Sequence, residues 1–166
     1  MASRKLVDTA YHEAGHAVAA YAMRKRVESV TVIPEDEYLG CVRYHGFPEW
    51  FRPDIDSGGT AGEMHTRRYN RVGASSDMQL AFQMASYMVG GVEDLEDYID
   101  RAQERATAIL EENWPAVEAL AEALLLHGEL SGRAARKIMR EAMKSAKSVE
   151  LGSWAATGEG AGPEAG

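Results

Sequence analysis

Two histidines and a glutamate stand close together near the start of the chain, in the stretch Ala10-Tyr11-His12-Glu13-Ala14-Gly15-His16-Ala17-Val18. Residues 12 to 16 form an H-E-x-x-H run. On a helix, four residues make just over one turn, so both imidazoles leave one face and reach a single zinc ion. Glu13 then stands beside them as the base that takes a proton from zinc-bound water. That combination points to hydrolysis, above all of a peptide bond. The bland alternative is a helix carrying two exposed histidines, because five-residue motifs also recur by chance.

The chemistry requires the run to be helical, and its neighbours supply that. No proline intervenes from Arg4 to Met23, and Val7, Ala10, Ala14, Ala17, Val18 and Tyr21 recur at three- and four-residue steps, the period of a one-sided helix. Arg24, Lys25 and Arg26 follow where cations favour a helix C-terminus. Gly15 costs about 1 kcal/mol relative to alanine in a helix interior, which suggests that another backbone passes close.

The chain of 166 residues fits one domain with a core of its own. Its single cysteine, Cys41, excludes an intramolecular disulfide and fits a reducing compartment, the cytoplasm by default. No long apolar run and no apolar stretch behind the N-terminal basic residues argue for a membrane span or a signal peptide. A net charge of −8 disfavours nucleic acid as a partner, and Arg67-Arg68 reads as ordinary surface.

After the first helix, Val27 to Ile33 alternates in the manner of a strand ended by Pro34, and Leu39 to Tyr44 reads as the return strand of a small hairpin across the polar turn Glu35-Asp36-Glu37. These are the only strands expected. His45 to Ser57 reads as a loop with aromatic anchors at Trp50 and Phe51. Beyond Gly58 the ordered chain is expected to be helical. Ser76-Asp77-Met78-Gln79 matches a capping box before a stripe that runs to Gly90-Gly91. A second stripe from Leu95 to Leu110 is interrupted at Asn113-Trp114-Pro115 and resumes to Gly128. Ser131 can cap a last helix carrying Ala135, Ile138, Met139 and Ala142. The tail from about Gly152 lacks apolar periodicity and is expected to be disordered.

A catalytic zinc takes three protein ligands and keeps one position open. One familiar source of the third is excluded: H-E-x-x-H-x-x-G-x-x-H would need glycine at Ala19 and histidine at Ala22. Glu28, His45, Glu63, His65 and Asp77 remain, and periodicity does not choose among them.

Several further segments carry a resemblance. Tyr11 to Tyr21, then Val30-Thr31-Val32-Ile33-Pro34 and Leu39-Gly40, resemble the start of the peptidase domain of FtsH, an ATP-dependent zinc metalloprotease. Gly58-Gly59-Thr60-Ala61-Gly62-Glu63 looks like that family's G-G-R-A-A-E segment with threonine in place of arginine, and Gly73-Ala74-Ser75-Ser76-Asp77 is similar to its G-A-S-N-D motif. The stretch from Leu110 to Met139, with Gly128-Glu129-Leu130-Ser131-Gly132, looks like the family's closing helices.

The resemblance spans Arg4 to Met143 and implies zinc ligands His12, His16 and Asp77, with Glu13 as general base. Glu63 would orient a ligand histidine. Asp77 without that role would be a first-turn carboxylate favoured by the helix dipole. His65 reads as a surface residue, and no pattern supports His45 or His127. The sequence departs from FtsH in lacking a G-x-x-x-x-G-K-[ST] loop and a membrane span, and the segment after Val89 is shorter.

The expectation is an α+β, mostly helical protein with an FtsH-like domain over residues 1–147 and a disordered tail over 148–166. Its expected activity is that of a soluble zinc endopeptidase acting on flexible or unfolded polypeptides without an ATPase of its own. The alternatives are a non-catalytic interaction module built on a peptidase fold, or a subunit that works with a separate ATPase partner or as a homo-oligomer.

Overall fold

A computed structural model describes residues 2–34, 39–45, 64, 65, 79, 81–83, 85–87, 89 and 91–157. In chain order the elements are α1 (Arg4–Ala22), β1 (Val27–Thr31), β2 (Cys41–Tyr44), α2 (Val92–Glu112), α3 (Trp114–His127), β3 (Glu129–Ser131) and α4 (Gly132–Thr157). The strands form one antiparallel sheet in the order β2-β1-β3. The fold is therefore α+β and mostly helical, as the periodicities predict.

Both ends of α1 are fixed locally. Ser3 caps the start, its Oγ accepting from the Leu6 amide at 3.3 Å. At the other end the Lys25 amide donates to the Ala20 carbonyl and the Arg24 amide to that of Tyr21, the paired bonds of a Schellman motif. Arg24 takes the left-handed conformation this requires, at φ 60°. A side chain there costs about 1 kcal/mol that glycine does not incur. Arg24→Gly is accordingly expected to raise unfolding free energy by about 0.5–1 kcal/mol in a denaturant titration.

Between these caps, α1 departs from the one-sided helix expected of it. Every residue from Thr9 to Ala20 is buried, including His12, Glu13 and His16. The helix runs through the middle of the protein, with α3 as its main helical neighbour and β1, β2 and α2 also against it. Its run of Ala10, Ala14, Ala17, Ala19 and Ala20 lets those elements approach closely, and Leu110, Val117, Leu120, Leu124 and Met139 fill the surrounding core. Polar residues that periodicity would assign to solvent are enclosed here, which is the arrangement a buried metal or catalytic centre needs.

The hairpin forms between shorter strands than expected, with Val27 opposite Tyr44 and Thr31 opposite Cys41. The register shifts between Val27 and Ser29, so Glu28 is the extra residue of a bulge. Its carboxylate turns outward to His45 Nδ1 at 2.8 Å.

A third strand corrects the expectation that the chain beyond Gly58 is helical wherever ordered. Glu129–Ser131 pairs with the other edge of β1, placing Leu130 opposite Val30. Gly128, at φ 75°, closes α3 and accepts from the Val32 amide at 2.8 Å, so the helix end and the sheet share one turn. Three residues with a single buried member carry too little periodicity to be read as a strand.

The helical breaks fall where the sequence places them. Asn113 ends α2, Pro115 occupies the first turn of α3, and Ser131 Oγ accepts from the Ala134 amide at 3.3 Å to cap α4. Ala81 and Ala85 pack with Ile99 in a smaller second cluster. The last helix runs to Thr157, and residues 158–166 lie outside the described residues. Among the described residues no helix is long and apolar enough to cross a membrane.

Candidate metal centre

Successive residues on a helix are turned by about 100°, so Tyr11 and Glu13 face opposite sides of α1 while His12 and His16 lie within about 40° of each other. The two imidazoles converge. Their Nε2 atoms are 3.1 Å apart and the ring planes nearly perpendicular, at 86°. At that separation one ring donates its Nε2–H to the other, the donor being set by tautomer. Two nitrogens bound to one tetrahedral zinc at about 2.0–2.1 Å would stand about 3.3 Å apart. The pair is therefore already spaced as two ligands of one ion. His12, Glu13 and His16 are 8, 6 and 7 % exposed, so their interactions operate with little screening by water.

Glu13 lies against the start of the β2 arm. A methyl group placed on Gly40 would come within 2.7 Å of Glu13 Oε1, 2.8 Å of its Cγ and 2.9 Å of the Thr31 carbonyl oxygen. Only a residue without a side chain lets this backbone close over the carboxylate while keeping its place beside β1. Thr31 is itself fixed, its Oγ1 accepting from the Ile33 amide at 3.1 Å and donating to the Gly128 carbonyl at 3.4 Å. Gly40→Ala should therefore displace the Glu13 side chain. The expected result is a loss of about 1–3 kcal/mol of unfolding free energy in a denaturant titration, the usual cost of overpacking.

On the opposite side of α1, Tyr11 is stacked on His65 at 3.6 Å between ring centroids, with Trp114 at 6.0 Å. Burial raises the Tyr11 pKa above its ordinary value of 10.0, and Glu118 and then Glu122 push it further up. The phenol stays neutral at physiological pH. Its role is to anchor α1 on α3, and the exposed His65 covers it.

The structure thus brings His12 and His16 together, buries Glu13 on the same helix, and draws Glu28 and His45 away. Glu28 and His45 are occupied with each other on the surface, half to two-thirds exposed, and His127 sits in the last turn of α3, favourable for its dipole. Asp77 and Glu63 lie outside the described residues, and among the described residues no group of three or more His, Cys, Asp or Glu is gathered about one point. Gly40 was visible in the sequence only as part of Leu39-Gly40. Its contact with Glu13 depends on the long-range placement of β2.

No family model matches this chain, and no curated protein does. The geometry of α1 offers two nitrogen donors at one point and a buried carboxylate on the same helix.

Proposed function

We propose that this chain is a zinc-dependent endopeptidase of the FtsH peptidase type, acting on flexible or unfolded polypeptides. The observation that carries the reading is the convergence of two buried imidazole nitrogens at 3.1 Å on the helix that also buries Glu13. His12 and His16 would hold the metal, with Asp77 as the third ligand by its match to the G-A-S-N-D motif. Bound zinc would act as a Lewis acid toward the scissile carbonyl and make water a nucleophile near neutral pH.

The remaining work falls to residues of the chain. Glu13 accepts the proton of the attacking water and returns it to the leaving nitrogen. Gly40 lets the backbone before β2 lie against that carboxylate. Among the described residues β2 is an edge strand of the sheet, and its start lies beside Glu13, so an extended substrate can add to it through main-chain hydrogen bonds. Recognition through backbone leaves side-chain preference loose and requires an unfolded segment. A single cysteine fits work in the reducing cytoplasm, and the net charge of −8 keeps nucleic acid outside the list of partners.

The test is digestion of an unstructured protein such as casein by the purified chain, with and without chelator and with and without ATP. Cleavage that needs no ATP and stops with chelator supports the reading. Absence of cleavage in the zinc-loaded chain overturns the stand-alone enzyme. Cleavage restored by a separate ATPase would assign it instead to a docked subunit.

A further inference from the structure

A groove remote in function from the histidine pair runs between the start of β1 and the first turns of α4. Five cations line it: Arg26 from the β1 side, and Arg133, Arg136, Lys137 and Arg140 from α4. The α4 residues stand at i, i+3, i+4 and i+7, one face of the helix. All five are exposed, and among the described residues none is paired with a carboxylate. Glu28, the acid in the lining, is turned to His45. Like charges a turn apart repel. Their gathering in a chain of net charge −8 is therefore selective and is relieved by a bound anion.

The groove's form narrows the anion. Ser131, Gly132 and Arg133 bring the N-terminal end of α4 to it, adding the positive end of the helix dipole to the five side chains. Arginine forks match phosphate oxygens in pairs. Among the described residues no aromatic side chain lines the groove to stack a base. The acidic remainder of the chain repels long polyanions such as nucleic acid or an anionic bilayer, whereas a compact ligand stays within about one screening length, roughly 10 Å, of the cations. We propose that this groove binds a compact oligophosphate, a run of two or three linked phosphates, either free or as the tail of a nucleoside polyphosphate. The inference stands apart from the peptidase reading and uses none of its residues.

The experiment is calorimetric titration of the full chain with sodium tripolyphosphate at fixed ionic strength, repeated with ATP and with a poly-glutamate peptide. Any heat from sequestered metal is common to all variants, so the comparison among them carries the result. Arg136→Gln with Arg140→Gln should weaken tripolyphosphate binding at least about tenfold, and Arg26→Gln on the other wall at least about threefold. Arg101→Gln, whose arginine already pairs with Asp97 on α2 at 3.1 Å, should change nothing. ATP binding as tight as tripolyphosphate assigns the nucleotide source, and weaker ATP binding assigns the free form. No binding by the wild-type chain, equal affinity in the double variant, or tighter binding of poly-glutamate would overturn the proposal.

Discussion

Glu13→Gln is expected to leave fold and metal content intact while peptide cleavage falls by about 10²- to 10⁴-fold, the range contributed by a positioned general base. The amide keeps the shape of the side chain, so the close approach of Gly40 and the packing of α1 survive. It removes the negative charge and the capacity to take a proton. Unchanged turnover would remove Glu13 from the mechanism, whereas loss of fold would make its role structural.

A second large effect is expected far from the histidines. Gly132 opens α4 where its backbone crosses β1 at the bulge, and a methyl group there would stand 1.9 Å from the Val27 carbonyl oxygen and 2.9 Å from that of Glu28. Both neighbours are backbone, so no rotamer change accommodates it. Overpacking commonly costs about 1–3 kcal/mol and more where the surroundings cannot yield. Gly132→Ala is placed at or above about 3 kcal/mol, which for a domain of this size lowers the melting temperature by roughly 6–12 °C. Gly91→Ala is the control, since among the described residues its added methyl would meet only Asp94 Oδ2 at 3.5 Å, and it should stay within about 1 kcal/mol. Equal melting temperatures for the two variants would mean that α4 and β1 are less tightly apposed than described.

Features written in local sequence were legible and those made by distant contacts were not. The helical period around His12 and His16, the break at Asn113-Trp114-Pro115 and the cap at Ser131 each depend on neighbours within a turn or two, and each is present. The strand at Glu129–Ser131 owes its existence to the free edge of β1, about a hundred residues earlier, and its own three residues hold no pattern. Full burial of α1 was likewise hidden, because the apolar period around His12, Glu13 and His16 marks only one side of the helix until α3 and the sheet are placed around it. The Glu28 bulge turns a carboxylate that looked like a ligand toward His45. Asp77 comes from the resemblance alone and lies outside the described residues.

Metal analysis of the purified chain and of its His16→Ala and Asp77→Ala variants tests the central claim most directly. Three protein ligands and one open position predict about one zinc per chain, falling sharply in both variants. Full occupancy in Asp77→Ala would move the third ligand elsewhere, with Glu63 the next to test. Wild-type protein that takes up no zinc from a metal-buffered solution while correctly folded would contradict the account.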